Sequence, residues 1–261
     1  MELALNARVS GDEVVWFITG CSSGIGRSLA RAVLGIGHRA VVTARSPDAL
    51  ADLAGDFPDT CLALRLDVTQ QAQIGAAVDL AHEHFGRIDV LVNNAGQGLM
   101  ASVEDAEESD IRALFELNLF AAMNVTRAIL PGMRARRRGH IINVSSTAGL
   151  VARAGSAYYA ASKMALEGFS ESLSGEVKPF GLKVTIVQPA GFRTGFRAAL
   201  RRGASGVYED TVGKRIEAML SGKPAPGDPE RAAQAMIAMI ASEDPPLRLP
   251  LGRDAPECLG Q

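Results

Sequence analysis

Val14-Val15-Trp16-Phe17-Ile18-Thr19-Gly20-Cys21-Ser22-Ser23-Gly24-Ile25-Gly26 is the stretch whose reading decides the fold. Residues 14–19 form a short apolar run of β-branched and aromatic side chains, the pattern of a strand buried on both faces. The run passes straight into glycines, and from Arg27 onward Leu29, Val33 and Ile36 recur at helical spacing. Strand, glycine-rich turn and helix follow one another without a linker. In that setting the glycines let the backbone turn tightly and approach a phosphate, while free N–H groups and the helix dipole favour negative charge. Gly20, Ser22, Ser23, Gly24, Ile25 and Gly26 are thus candidate cofactor contacts. A purely structural β-to-α turn would use the same glycines. The spacing G-x-x-x-G-x-G also departs from the commoner dinucleotide fingerprint, so the turn needs support from the rest of the chain.

That support accumulates in order. A second apolar run, residues 40–43, ends at Ala44-Arg45. In a dinucleotide fold the end of this strand faces the adenosine ribose, where an acid accepts from a 2′-hydroxyl and an Arg pairs with a 2′-phosphate. The acid is missing here, so Ala44-Arg45 points to the phosphorylated cofactor; the alternative is a solvated loop arginine. Ser46-Pro47 caps a short helix to about residue 54, and residues 62–66 make a third strand ending in Asp67-Val68. Thr69 is a candidate cap for a helix carrying Ile74, Val78, Ala81 and Phe85, which Gly86 ends. Residues 88–92 are a fourth strand, terminating in Asn93-Asn94-Ala95-Gly96, where small and amide residues suit a tight turn or a ligand edge. A long helix follows from about residue 109. Inside it sits Asn118, a poor helix former that is costly to bury unpaired, and so either a helix break with a polar task or a surface residue.

Residues 140–144 and 182–187 are the fifth and sixth strands. They deliver Ser145-Ser146 and Gln188-Pro189-Ala190-Gly191-Phe192-Arg193-Thr194 to the same carboxyl edge. The alternation lapses over residues 195–227, which read as a substrate-shaping segment. Asp228-Pro229-Glu230 opens a last helix, and residues 247–251 supply a possible edge strand. The chain is therefore expected to be a single α/β domain over residues 14–261, with a doubly wound, mostly parallel sheet flanked by helices on both faces, a Rossmann fold. Residues 1–13 are expected to be a flexible N-terminal extension.

Chemistry concentrates between Ser145 and Lys163. Residues 157–178 have helical composition and end at Pro179, so Tyr159 and Lys163, four apart, share one face. A nearby ammonium favours a phenolate and lowers the phenol pKa from its ordinary ~10, which would let Tyr159 exchange protons with an alcohol or a carbonyl oxygen. Taken alone, such a pair more often means a half-buried ring beside a solvated amine.

Composition narrows the class. With 261 residues, 47% hydrophobic and 21% charged, the chain can bury one sizeable core. A net charge of −2 gives no general electrostatic reason to bind nucleic acid or an anionic membrane. The basic run Arg134-Ala135-Arg136-Arg137-Arg138 fits a helix end, where cations complement the dipole. Cys21, Cys61 and Cys258 show neither disulfide nor zinc spacing, and no metal site is expected. Cys21 lies near a helix N-terminus, where a thiolate would be favoured, yet it reads as a small structural residue. Residues 1–13 lack the pattern of a signal peptide, and no stretch reads as a bilayer span. A cytoplasmic protein is the expectation.

In their order, Thr19-Gly20-x-x-x-Gly24-x-Gly26, Asp67, Asn93-Asn94-Ala95-Gly96, Asn118, Ser146, Tyr159-x-x-x-Lys163 and Pro189-x-Gly191-x-x-Thr194 resemble the short-chain dehydrogenase/reductase family, in its compact single-domain NAD(P)-dependent branch. The match spans about residues 14–194. The resemblance implies that Tyr159 is the acid/base, that Lys163 lowers its pKa and holds the nicotinamide ribose, that Ser146 bonds the reacting oxygen, and that Asn118 holds a relay water. It selects Ser146, thirteen before the tyrosine, over Ser145, and Tyr159 over Tyr158. It also implies that Asp67 and Val68 contact adenine, that Asn94 and Ala95 border the ribose, that Thr194 lies near the nicotinamide amide or the diphosphate, and that Gly96, Pro189 and Gly191 belong to the cofactor-binding set. A homodimer or homotetramer packed through residues 109–130 and 157–178 is implied as well.

The leading expectation is an NADP(H)-dependent ketoreductase, NAD(H) remaining possible, acting on a small-molecule carbonyl or secondary alcohol. A catalytically silent NAD(P)-binding regulator would have no need of Asn118, Ser146, Tyr159 and Lys163 together. Lyase or epimerase chemistry would need the larger relatives' substrate domain. Leu99, Met100, Leu150, Val151, Phe192, Phe196 and Tyr208 are candidates for a mainly apolar pocket suited to a hydrophobic or cyclic substrate, or else for ordinary core. Arg193, Arg197, Arg201 and Arg202 either greet an anionic tail or face water.

Overall fold

A computed structural model of the protein describes residues 13–196, 200–202, 206–222 and 225–252. Most of the expected N-terminal extension, Arg197 and Cys258 lie outside them, as do the side chains of Arg201 and Arg202. The chain runs β1 (Val15–Ile18), α1 (Gly24–Gly35), β2 (Arg39–Ala44), α2 (Ala51–Asp56), β3 (Cys61–Arg65), α3 (Gln71–Phe85), β4 (Val90–Asn93), β5 (Leu99–Met100), α4 (Glu108–Phe115), α5 (Ala121–Arg136) and β6 (Gly139–Val144). It continues with α6 (Ala157–Val177), β7 (Leu182–Pro189), β8 (Arg201–Arg202), α7 (Lys214–Ser221), α8 (Pro229–Ile240) and β9 (Arg248–Leu251). Seven strands form one sheet in the order β3-β2-β1-β4-β6-β7-β9, with every neighbouring pair parallel.

The strands read as unbroken apolar runs because helices cover both faces. Trp16, Ile18, Val42, Val92 and Ile142 point to the side of α1 and α8, where Leu29, Val33, Ala233 and Met236 meet them. Phe17, Val41, Leu91 and Ile141 point to the other side, against Ile74 and Val78 of α3, Val125 and Ile129 of α5, and Leu173 of α6. Burying each such side chain contributes about 1.5–3 kcal/mol. From β1 the chain winds first one way to β2 and β3, then returns to lay β4 on the opposite side of β1. The order reverses between β1 and β4, and at such a switch point the loops beyond the carboxyl ends splay into a crevice.

All seven expected strands are present. Leu99–Met100 and Arg201–Arg202 add a separate two-stranded parallel pair that two residues apiece could not announce. Thr69 does not cap α3: the N-cap is Gln70, and the Thr69 hydroxyl and N–H both bond the Asp67 carboxylate, at 2.8 and 3.0 Å. The long helix is continuous over 108–136 but widens into a π turn at Glu116–Phe120, with Asn118 at its centre and 2% exposed. A buried, satisfied asparagine in a helical bulge is thus what the sequence marks there, not a surface residue. By length and composition this helix also meets the test for a bilayer span, against the expectation that no stretch would. Its apolar residues Ala121, Val125, Ile129 and Met133 pack on the sheet, which accounts for the composition without a membrane.

Candidate active site

The glycine-rich turn is built around Thr19. Its hydroxyl donates to the Val92 carbonyl (3.2 Å) and accepts from the N–H groups of Asn94 (2.9 Å) and Ala95 (3.0 Å). The Asn94 amide in turn donates to the carbonyls of Thr19 (2.8 Å) and Gly20 (3.0 Å). The two loops at the switch point are therefore stitched together by these five hydrogen bonds. Gly20 and Gly24 hold φ of +73° and +64°, a region that side chains with a Cβ rarely adopt. Gly26 has no positive φ but no room either: a Cβ there would lie 2.6 Å from the Gly20 carbonyl oxygen and closer still to the Asn94 amide.

The turn fits a dinucleotide phosphate on its own geometry. α1 begins after Ser23, whose side chain caps nothing, so the helix presents its first N–H groups uncapped at the crevice. Ser22 and Ser23 are exposed, Ile25 is half-buried, and Thr194 lies against Gly24, 3.3 Å from the position of a Cβ. Pro189, the last residue of β7, is buried, and Gly191 just beyond it is exposed. On the far side of β1, Ala44 is buried and Arg45 exposed at the end of β2, while Val68 is buried. The Asp67 carboxylate faces back onto Thr69.

The remaining candidates meet on the opposite flank. Lys163, 5% exposed, donates to the Val144 carbonyl at 2.8 Å, one residue before Ser145. Asn118 closes a ring: its Oδ1 accepts from the Gln97 N–H (2.9 Å), and its Nδ2 donates to the Gln97 carbonyl (2.9 Å) and to Ser162 Oγ (3.1 Å). Gly96 stands between them, a Cβ there falling 3.2 Å from Asn118 Oδ1 and 3.6 Å from Lys163 Nζ. Ser146 caps the short turn Thr147–Gly149 by accepting from Ala148 N–H at 3.1 Å, its hydroxyl donates to the Pro189 carbonyl at 3.5 Å, and it lies close enough to the Tyr159 phenol to lower its pKa. Ser145 is buried and does not face this cluster through any hydrogen bond of its hydroxyl. Asn118, Ser146, Tyr159 and Lys163 are therefore brought together on this flank. Gln97 and Ser162 complete the ring and were missed, since a contact between separate elements leaves no spacing in either.

A model of the short chain dehydrogenase family matches residues 14–205. The protein belongs to that family. A short-chain dehydrogenase from Streptomyces avermitilis has a similar solved structure, with a TM-score of 0.89, 42% identity, and 95% of this chain and 92% of that one covered. A short chain dehydrogenase/reductase from Burkholderia phymatum in complex with NAD superposes with a TM-score of 0.82 at 26% identity, covering 95% and 91%. A 3-ketodihydrosphingosine reductase from Bacteroides thetaiotaomicron is 34% identical over 239 residues, 90% of this chain and 86% of that protein. The chain is an oxidoreductase of the kind that acts on CH–OH groups with a nicotinamide cofactor.

The electrostatics of this short-chain dehydrogenase follow from burial. Protein atoms crowded around Tyr159 push its phenol above the ordinary value, partly offset by the nearby Ser146 hydroxyl. The expected depression by Lys163 is absent from the balance of the protein alone. Lys163 is pulled down to about 8 by burial, against the field of Glu167. Cys21 is buried, bonds the Ile18 carbonyl, and is pushed up to about 12, so its thiol is inert rather than activated.

Residues of the 195–227 segment roof the dehydrogenase site. The Phe196 ring lies 5.8 Å from that of Tyr159, tilted by 54°. Phe196 and Leu200 both press on Gly98, where a Cβ would come 2.7 Å from Phe196 Cζ and nearer to Leu200. Val212 and Met100 meet over Gly155, and the Tyr208 hydroxyl donates to Glu104 at 2.8 Å. Phe192 instead packs against the core under α1 and α8. Arg193 pairs with Asp228 at 3.3 Å and donates to the Pro226 carbonyl at 3.2 Å, so its guanidinium is engaged at the segment's end.

Proposed function

We propose that the protein is an NADP(H)-dependent ketoreductase that interconverts a hydrophobic ketone and a secondary alcohol, with Tyr159 as its acid/base. The observation that carries this reading is the placement of Ser146, Tyr159 and buried Lys163 together under an apolar roof. A bound nicotinamide supplies or accepts the hydride. Ser146 and Tyr159 donate hydrogen bonds to the substrate oxygen, where negative charge grows during reduction, and Tyr159 passes its proton there. Lys163 brings a cation to the same place and holds the ribose, and the Asn118 ring orders a water for the proton's return. Asn94, Ala95, Gly96, Asp67, Val68 and Thr194 line the remainder of the dinucleotide.

The phosphorylated cofactor is favoured by Arg45, exposed at the end of β2 with no acid beside it at Ala44. Replacing Arg45 by Ala removes one charge-assisted bond, about 1.5–3 kcal/mol, and is expected to raise KM for NADPH by about tenfold or more while leaving KM for NADH nearly unchanged. Equal effects on both cofactors would withdraw the NADP(H) preference.

Phe196, Leu200, Met100 and Val212 favour an apolar substrate, in keeping with the name of the 3-ketodihydrosphingosine reductase relative. Phe196→Ala is expected to open the space above Tyr159, raising KM for small ketones several-fold and gaining activity on bulkier ones, since lost packing costs about 1–3 kcal/mol. Competition kinetics over a size series of ketones measures this. An unchanged size preference would move the pocket elsewhere. Cytoplasmic residence is part of the proposal, with Cys21 and Cys61 free thiols as a reducing compartment keeps them. So is a homodimer or homotetramer, for which exposed Phe120 and Met164 on the expected helices provide apolar contact.

A further inference from the structure

We infer that Glu167 and Arg248 are a positioning pair for the reaction: the carboxylate is the counter-charge of Lys163 and clamps the Ser146 loop, which gives the last strand of the sheet a part in the chemistry. The inference rests on the proposed roles of Lys163 and Ser146. On α6, Tyr159, Lys163 and Glu167 follow one another at intervals of four and so share a face. Glu167 is 5% exposed, and a carboxylate so placed persists only if it is paired and bonded. Its Oε2 pairs with Arg248 Nε of β9 at 3.1 Å, and Arg248 reaches on to Glu171 at 2.7 Å. Its Oε1 accepts from Gln188 Nε2 at 3.0 Å.

Those partners lead back to the reacting end. Gln188 immediately precedes Pro189, whose carbonyl accepts from the Ser146 hydroxyl at 3.5 Å. The carboxylate also lies against the loop itself: a Cβ on Gly149 would fall 3.2 Å from Glu167 Cγ, 3.3 Å from its Oε1 and 2.7 Å from Ser145 Oγ. Gly149 is therefore the residue that lets the loop settle on the carboxylate.

Among the described residues, the titratable groups around Lys163 are few. Tyr159 and Glu167 come from α6 itself; the end of β6, the loop after β4 and the π turn present the neutral Val144 carbonyl, Gly96 and Asn118. β9 adds Arg248 on the far side of the carboxylate. Burial lowers the Lys163 ammonium to about 8, and Glu167 opposes that fall. Without the carboxylate the ammonium is lost at lower pH. Without Arg248 the carboxylate field is less compensated, and the ammonium persists to higher pH.

The test is the titration of the Lys163 amine, followed by NMR in the cofactor-free protein from about pH 6 to about pH 11, across the ordinary lysine range. Glu167→Gln, Arg248→Gln and the conservative Glu167→Asp are compared with the unmodified chain, and NADPH affinity is read by fluorescence at each pH. Glu167→Gln is expected to move the Lys163 midpoint and the alkaline loss of NADPH affinity down by about half a unit or more, Arg248→Gln to move both upward, and Glu167→Asp to restore much of the parent behaviour. Midpoints unmoved in both Gln variants, or moved the same way, with only the melting temperature lowered, would reduce the pair to a structural clamp and overturn the inference. None of these readouts needs turnover, so the inference and the ketoreductase reading fail separately.

Discussion

Tyr159→Phe is expected to lower kcat for ketone reduction by about 10²–10⁴-fold, the usual contribution of a positioned proton donor, while changing NADPH affinity and melting temperature little. The substitution removes one oxygen and keeps the ring that lies against Phe196. Ser146 retains its bonds to Ala148 N–H and the Pro189 carbonyl, so the loop after β6 is not undone. What goes is the proton that neutralises the developing charge, and Lys163 cannot deliver it from beneath the Val144 carbonyl. Burial raises the Tyr159 phenol, so near neutral pH it is protonated and poised to donate, which favours reduction. Alcohol oxidation needs the phenolate, and its rate is accordingly expected to climb with pH while the reduction rate falls. Steady-state rates in both directions against pH check this. A Tyr159→Phe protein with near-parental kcat would remove the tyrosine from the chemistry.

The second large effect is predicted at Gly26. An added Cβ meets the Gly20 carbonyl oxygen at 2.6 Å and crowds the Asn94 amide. Neither neighbour can yield: the Gly20 carbonyl belongs to a turn held at φ +73°, and the Asn94 amide is bonded to two carbonyls at 2.8 and 3.0 Å. Overpacking of this kind costs about 1–3 kcal/mol. It also lifts the turn away from the start of α1, so Gly26→Ala is expected to lose NADPH affinity by about tenfold or more as well as several degrees of thermal stability. Gly75→Ala is the control. It lies inside α3 with nothing within 4 Å of a new Cβ, and is expected to stabilise by about 0.5–1 kcal/mol. Calorimetry and cofactor titration on both variants decide the matter. A Gly26→Ala protein with parental affinity would mean that the turn relaxes freely.

These two residues also show what a sequence can carry. β1, β2, β4 and β6 were legible because strands covered on both faces are apolar throughout, and periodicity cannot mistake them for amphipathic helix. The gathering of the candidate loops at one carboxyl edge followed from the glycines and from where each run stopped, whereas the reversal of strand order beside β1 came from the structure. Asn118 was legible as an anomaly, a helix-averse amide within a helix, though not as the centre of a π turn, because widening a helix by one residue leaves no pattern in the side chains. Thr69 misled for a related reason: its hydroxyl donates to the Asp67 carboxylate in a charge-assisted bond that no spacing announces, and Gln70 stands at the N-cap of α3 instead. Gln97, Ser162 and the Glu167–Gln188–Arg248 group were illegible, since their meaning lies in contacts across the fold. Phe192 and Phe196, four apart, looked alike as pocket residues, yet one packs on the core beside α8 and the other on Tyr159.

The most direct test of the account follows the hydride. The unmodified protein is given NADPH deuterated at nicotinamide C4, prepared separately in each of the two stereochemical forms, with a panel of hydrophobic ketones, and the products are weighed by mass spectrometry. The account predicts NADPH consumption and an alcohol carrying one deuterium on its carbinol carbon from one of the two forms. Tight NADPH binding with no consumption across the panel, or an alcohol unlabelled from both forms, would contradict it.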